Sequence, residues 1–245
     1  MNIERWIGTF NITSDDVDYR SKCRWSSLLS LMQQAADAHV EALGVSREQM
    51  LAQDMGWMLI TMDARMDVIP QYGETLQVAT WSRGAKGALW QRDYRWLNER
   101  GDEIGSARSV WALVDIRKRK ILRPSAFPYE VPVHAESAGP PPDKKIVPDE
   151  AVLEEAYTHT VRYSGIDSNG HLNNARYADL CFDALQPGEL EQGDVTGFRI
   201  TYHHEAKMND VLHIERSAVE AGTIYFKGNS PEGENYFEAA IVMNL

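Results

Sequence analysis

The chain has 245 residues, 43% of them apolar, enough to bury a core as one large domain or as two of about 120 residues each. Its 25 basic against 36 acidic residues leave a formal charge of −11, which gives no positive field for phosphates and speaks against nucleic acid as a partner. No apolar run approaches the ~20 residues that span a bilayer, the N-terminal Met1-Asn-Ile-Glu-Arg-Trp6 lacks the pattern of a secretory signal, and two cysteines, Cys23 and Cys181, make neither a disulfide framework nor a zinc site. A reduced, cytoplasmic, globular protein is the expectation.

In chain order, Ser26 or Ser27 can cap a helix whose residues Leu28, Leu31, Met32, Ala35, Ala36 and His39 recur at three-and-four spacing. Ser46-Arg-Glu-Gln49 opens a second, short helix with capping-box spacing. Alternation then predicts strands through Met62–Val68, Leu76–Thr80, Trp90–Trp96 and Val110–Val114, with a hairpin turn at Asn98-Glu-Arg-Gly101-Asp. Residues 124–150 hold seven of the ten prolines and read as a linker, because proline removes backbone donors and favours extended chain. It separates an N-terminal unit, 1–123, from a C-terminal unit, 151–245. The second unit repeats the first: Ile12–Asp18 falls opposite Val161–Asp167, Tyr72–Val78 opposite Met208–Ile214, and Ala107, Val110 and Trp111 opposite Ala239, Val242 and Met243. Ser230-Pro-Glu-Gly233-Glu is the counterpart of the hairpin turn. One helix followed by an antiparallel meander, written twice, predicts an α+β tandem (double) hotdog, each unit a central helix wrapped by a curved antiparallel sheet.

The polar cluster with chemical content is Asp167-Ser-Asn169-Gly-His171-Leu-Asn173-Asn174. Asp167, Asn169 and His171 are spaced by two, so an extended backbone would turn all three to one face and deliver an acid, an amide and an imidazole to one pocket. Asn173 or Asn174 can cap the helix that follows, whose free N–H groups would suit a developing oxyanion. In the first unit the equivalent positions hold Asp18, Arg20, Lys22 and Arg24, so one competent site and one structural half is the expectation.

The stretch Arg162-Tyr-Ser-Gly-Ile-Asp-Ser-Asn-Gly-His-Leu-Asn-Asn-Ala-Arg-Tyr177 resembles the D-x-N-x-H-x-N-N signature of the acyl-acyl carrier protein thioesterases of plants and bacteria. Leu31–His39, Gly56–Met62, Ser109–Leu113 and Arg117–Lys120 carry the resemblance through the first unit. It implies a tandem hotdog enzyme of fatty acid biosynthesis that hydrolyses fatty acyl thioesters of acyl carrier protein without metal or organic cofactor. By similarity Asp167, Asn169 and His171 are catalytic. Thr201-Tyr-His-His-Glu205-Ala206 resembles the family's tyrosine-basic-basic-glutamate-cysteine stretch and adds Glu205. Ala206 stands where that pattern has cysteine, which argues against a thiol nucleophile. The mechanism implied has Glu205 and His171 activating water, with direct attack by the Asp167 carboxylate as the competing route.

The first unit would supply the acyl tunnel, with Met32, Trp57, Met58 and Met62 as wall residues. Arg117, Lys118, Arg119 and Lys120 interrupt an acidic chain and would dock the acidic carrier protein; the other reading is a solvated turn. A homodimer is compatible with all of this. An acyl-CoA thioesterase of the same fold is the nearest alternative. A hotdog hydratase or dehydratase would carry D-x-N-P-x-H, which this chain lacks, and a non-catalytic acyl-binding module would not need all four polar positions. Neither HExxH nor GxSxG occurs, so zinc and α/β-hydrolase chemistry have no sequence support.

Overall fold

The structure is a computed structural model and describes residues 3–244. The first unit runs β1 (Trp6–Asn11), α1 (Trp25–Ala42), α2 (Arg47–Ala52), β2 (Met55–Met66), β3 (Thr75–Lys86), β4 (Leu89–Leu97), β5 (Glu103–Asp115) and the short β6 (Lys120–Ile121). The second runs β7 (Glu154–Thr160), α3 (Arg176–Asp183), α4 (Pro187–Gln192), β8 (Asp194–Tyr202), β9 (Val211–Arg216), β10 (Thr223–Asn229) and β11 (Asn235–Asn244). The predicted repeat is real at the level of elements. In the single antiparallel sheet the order β1-β3-β4-β5-β2 is followed by β8-β11-β10-β9-β7, the same script reflected about the middle.

Local sequence explains most of these elements. Ser46 Oγ accepts from Gln49 N at 3.2 Å while Gln49 Oε1 accepts from Ser46 N at 2.8 Å, the capping box that opens α2. The two hairpin turns share one geometry: Gly101 N donates to Asn98 O at 3.0 Å and Gly233 N to Ser230 O at 2.9 Å. Two boundaries differ from the periodic reading. Helix α1 starts at Trp25 rather than after Ser26 or Ser27, with Arg24 at the cap position, because Trp25 is itself buried in the core and draws the first turn inward. Strand β2 starts at Met55, well before Met62, and the run Met55–Ile60 hides its strand character because both of its faces are partly covered.

The halves join edge to edge. Met62 pairs with Ile200, Ala64 with Phe198, and Thr61 with Thr201, whose buried hydroxyls lie 3.0 Å apart. Arg199 Nε reaches Asp63 Oδ2 at 3.4 Å across the same seam. One continuous core then runs through both units, with α1 (Leu28, Ala35) and α3 (Ala178, Cys181) fully buried against the sheet.

Residues 127–153 contain no helix or strand, yet they form a strap rather than a free linker. Trp81 Nε1 donates to Glu136 O at 2.8 Å, and Arg108 Nη1 donates to Gly139 O at 2.7 Å. Farther along, Ile146 N and Val147 N donate to Glu238 Oε2 at 3.1 and 3.2 Å. Backbone groups that a proline-rich segment cannot pair internally are therefore taken by side chains of the sheet. At the centre stands Asp93, fully buried, accepting from Arg108 Nε and from Ala138 N, both at 2.8 Å. Replacing Asp93 by Ala strands the buried Arg108 guanidinium and frees the strap; the expected cost is about 3–5 kcal/mol in denaturant unfolding, with faster proteolysis within 127–153. Loss under about 1 kcal/mol would show that Asp93 is not the anchor.

Candidate active site

The segment expected to be extended is a turn. A short 3-10 turn at Tyr163–Gly165 leads to Ile166, which bridges Leu172, and the chain reverses between them. Asp167 closes that reversal. Its backbone N donates to His171 O at 2.9 Å, its O accepts from Gly170 N at 3.0 Å, and its Oδ1 accepts from Asn169 N at 2.8 Å and His171 N at 3.5 Å. Gly170 occupies the left-handed region at φ +81°, where glycine carries no steric penalty. Spacing by two thus does not place three side chains on one strand face; an aspartate-closed turn holds Asn169 and His171 instead. The physical reason is that a carboxylate two residues before a free N–H forms a local turn more readily than a ladder.

The first unit carries the same turn with different cargo. Asp18 N donates to Lys22 O at 2.8 Å, Ser21 N donates to Asp18 O at 2.9 Å, and Asp18 Oδ1 accepts from Arg20 N at 2.8 Å and Lys22 N at 3.2 Å. Ser21, at φ +60°, stands where Gly170 stands. The other Asp18 oxygen is taken by Arg20, through Nε at 2.9 Å, and Arg20 and Lys22 are turned to the second unit, on Leu190 O and Asp194.

Glu205 lies in the loop after β8. That loop is zipped to the turn by Leu172 N donating to Ala206 O at 2.7 Å, and Ala206 N donates to the Tyr177 hydroxyl at 3.3 Å. The result brings Glu205 Oε2 to 3.4 Å from His171 Nε2, both partly exposed. Two arginines of the first unit complete the cluster. Arg119 Nη2 donates to Glu205 Oε2 at 2.7 Å, and Arg47 Nη2 donates to Asn169 Oδ1 at 3.1 Å. With its oxygen held by Arg47, the Asn169 amide has only its NH₂ left to offer. Arg47 is not legible in the sequence, since nothing local marks the first residue of a six-residue helix as a neighbour of residue 169. In the sequence Arg119 stands out only as part of a basic run.

Asn173 Oδ1 accepts from Ala175 N at 2.9 Å and so caps the turn that leads into α3, although the regular helix begins only at Arg176. The Asn174 N–H donates to no acceptor among the described residues. Asn174 and Ala175 line a hollow of about 320 Å³ together with Met32 of α1, Met62 of β2 and Trp111 of β5. Trp111 also lines a second hollow, of about 600 Å³, with Trp57, Trp90 and Phe127. Of the wall residues expected from sequence, Met32 and Met62 line the first hollow and Trp57 the second. Met58 alternates with Trp57 and Leu59 along β2 and lines neither.

The basic run forms the β5–β6 turn, with all four side chains exposed. Three have acidic partners: Arg117 Nε with Asp54 at 2.7 Å, Lys118 Nζ with Asp115 at 3.1 Å, and Arg119 with Glu205. Lys120 has none among the described residues. The two thiols are inert. Burial pushes Cys23 up to about 12 and raises Cys181 well above its ordinary value, so both stay protonated.

Comparison with known proteins gives the family and the fold. Residues 5–125 match the family model described as acyl-ACP thioesterase N-terminal domain, and residues 149–243 match the acyl-ACP thioesterase C-terminal domain. A chloroplastic acyl-[acyl-carrier-protein] hydrolase of Cuphea viscosissima is 25% identical over 243 residues, which is 93% of this chain and 56% of that protein. The chain spans about half the length of the curated relatives it matches. An acyl-ACP thioesterase structure from Bacteroides thetaiotaomicron superposes with a TM-score of 0.81 at 21% identity, covering 98% of both chains. The 12:0-ACP thioesterase of Umbellularia californica gives 0.80 at 18% identity, over 100% of this chain and 98% of that one. The double hotdog is the shared fold, and no helix among the described residues is long and apolar enough to cross a membrane. With both of its domain models matched over nearly the whole chain, this protein belongs to the acyl-ACP thioesterase family.

Proposed function

We propose that the chain hydrolyses fatty acyl thioesters carried on acyl carrier protein, releasing free fatty acid. The observation that carries this reading is the His171–Glu205 pair at 3.4 Å, with His171 on a turn that also carries Asn169 and leads to Asn174, whose N–H is unpaired among the described residues. A carboxylate and an imidazole in contact can take a proton from water and return it to a leaving group. In the sequence we favour, Glu205 and His171 deprotonate water, and the resulting hydroxide attacks the thioester carbonyl carbon. The Asn169 NH₂ and the Asn174 N–H receive the developing oxyanion. When the tetrahedral intermediate collapses, the C–S bond breaks and the proton passes through His171 to the thiolate, which leaves as the carrier thiol.

Asp167 enters this scheme as a positioning residue. Its Oδ1 accepts from the backbone of the two residues it sets, and Asp18 makes the same bonds in a turn that has neither amide nor imidazole. That shared role favours the water route over attack by the Asp167 carboxylate. The second unit thus contributes the reacting groups. The first contributes most of the walls of the hollows for the chain, the two arginines and, through the β5–β6 turn, the docking face. Cys23 and Cys181 are buried and unpaired, as suits a reducing cytoplasm.

Single substitutions test the assignment. His171→Ala and Glu205→Ala should each remove most turnover with the fold intact, and Asn169→Ala should cost on the order of 10²–10³ in kcat. Asp167→Ala should be severely impaired while Asp18→Ala keeps its kcat, as read on acyl carrier protein thioesters. A Glu205→Ala enzyme with unchanged kcat would remove Glu205 from the scheme.

Carrier docking separates from chemistry within one turn. Exposed ion pairs are worth about 0–1 kcal/mol, so acidic groups of a carrier can displace Asp54 from Arg117. Arg117→Glu with Lys120→Glu should raise KM for carrier thioesters roughly 10-fold, about 1.4 kcal/mol, with the effect fading as salt is added. Arg119→Gln should instead lower kcat on carrier, CoA and small thioesters alike, because its guanidinium sits on Glu205. Equal losses on carrier and small substrates in the double variant would leave the run a solvated turn, and faster hydrolysis of the CoA series than of the carrier series would reassign the substrate.

A further inference from the structure

The second hollow is walled by Trp57, Trp90, Trp111 and Phe127, as a hydrocarbon chain requires, but Asp37, Ser82, Gln91 and Arg92 also line it and do not suit hydrocarbon. Arg92 of β4 lines it at 9% exposure. Alternation along β4 sends Asp93 to the strap and Arg92 to the α1 side, where Nη1 donates to His39 Nδ1 at 2.9 Å and Thr80 Oγ1 at 3.1 Å. His39 Nε2 donates to Ile3 O at 2.9 Å, so the ring is neutral with its proton on Nε2. Burial, then the neighbouring guanidinium, hold its pKa down. Among the described residues no carboxylate lies within 4.0 Å of Arg92, and its Nε and Nη2 have no acceptor. Asp37 of α1 lines the same hollow and faces the guanidinium from beyond 4.0 Å, so the charge has a carboxylate across the space while the Nε and Nη2 donors stay without an acceptor.

A second observation concerns the same walls. The indole N–H groups of Trp57 and Trp90 are buried and make no hydrogen bond. Buried donors without acceptors are uncommon in folded proteins, and here two fall on one hollow beside a guanidinium with two donors of its own unpaired. An unsubstituted chain filling the space would leave all of these donors unpaired and would strip the remaining water from Arg92. A chain carrying an oxygen acceptor would satisfy them.

We propose that the second hollow selects acyl chains that bear an acceptor oxygen (hydroxyl, oxo or carboxylate) away from the thioester, with Arg92, Trp57 and Trp90 as its donors. The proposal rests on the thioesterase reading above and names the substrate class of that site. Trp111, shared by both hollows, gives a chain that starts beside Asn174 a continuous wall to follow into this space.

The test is a panel of acyl thioesters of matched length, one unsubstituted and the others carrying a hydroxyl, an oxo group or a terminal carboxylate. The expected result is a kcat/KM at least about 10-fold higher for one or more oxygenated members than for the unsubstituted chain. Arg92→Met should bring that ratio towards one, most strongly in the carboxylate arm. Trp90→Phe, which keeps the ring and deletes the N–H, should lower the hydroxyl and oxo ratios in a protein that still folds. A wild-type ratio at or below one, or a ratio unmoved by both variants, overturns the proposal. Calorimetric binding of free hydroxylated, dicarboxylic and unsubstituted fatty acids separates it from the thioesterase reading. Tighter binding of the oxygenated acids with no thioester turned over would retain the hollow's selectivity and sink the hydrolase, whereas equal binding with turnover intact would sink the selectivity alone.

Discussion

The pairing of β2 with β8 is the contact on which the rest of the molecule depends. A hotdog unit alone ends in an open strand edge, with a row of unpaired backbone groups and one flank of its core uncovered. Here each unit closes the other's edge. The seam brings Thr61 to Thr201 and Asp63 to Arg199, polar pairs within an otherwise apolar junction. It also fixes the approach of α2 and the β5–β6 turn to the second unit's polar loop. Arg47 can reach Asn169, and Arg119 can reach Glu205, only because the two units share this border.

Within that frame one local device has been used twice. The turns closed by Asp18 and Asp167 have matching backbone bonds, so the aspartate builds the turn irrespective of what the turn presents. Where the second copy presents an amide and an imidazole to a neighbouring carboxylate, the first presents Arg20 and Lys22, which clasp the opposite unit. A duplicated structural element has thus diverged into a reactive loop and an inter-unit clamp, with the scaffold unchanged. This is why the asymmetry of side chains coexists with near symmetry of strands.

Charge on β4 is partitioned by the same alternation that partitions its apolar residues. Asp93 points to the strap and is matched by Arg108 and the Ala138 N–H. One residue earlier, Arg92 points to α1 and hydrogen-bonds only to the neutral His39 and Thr80, with the Asp37 carboxylate beyond contact distance across the hollow. The first arrangement is a closed electrostatic unit that anchors 127–153. The second is open, and its openness faces a hollow. Buried charges of opposite sign on adjacent residues therefore serve unlike ends, one fastening the fold and the other shaping the space beside it.

The sequence by itself determined the α+β class, the duplication, the order of elements and the identity of the polar loop. Those features are written in short-range signals: strand alternation, a capping box at Ser46–Gln49, glycines at the two hairpin turns and a cluster of polar residues before a helix. It also led from Glu205 to the site, though by resemblance and not by any local pattern. Tertiary structure decided the rest. An extended reading of 167–171 failed because a carboxylate within reach of its own backbone prefers a turn, and periodicity carries no record of that hydrogen bond. The proline-rich stretch reads as a linker because its partners, Trp81, Asp93, Arg108 and Glu238, lie on four different strands. Arg47 and Arg92 look like ordinary surface or strand arginines until α2 and α1 are laid over their targets. Contacts between residues 31 to 122 positions apart leave no spacing to read, and only tertiary packing creates them.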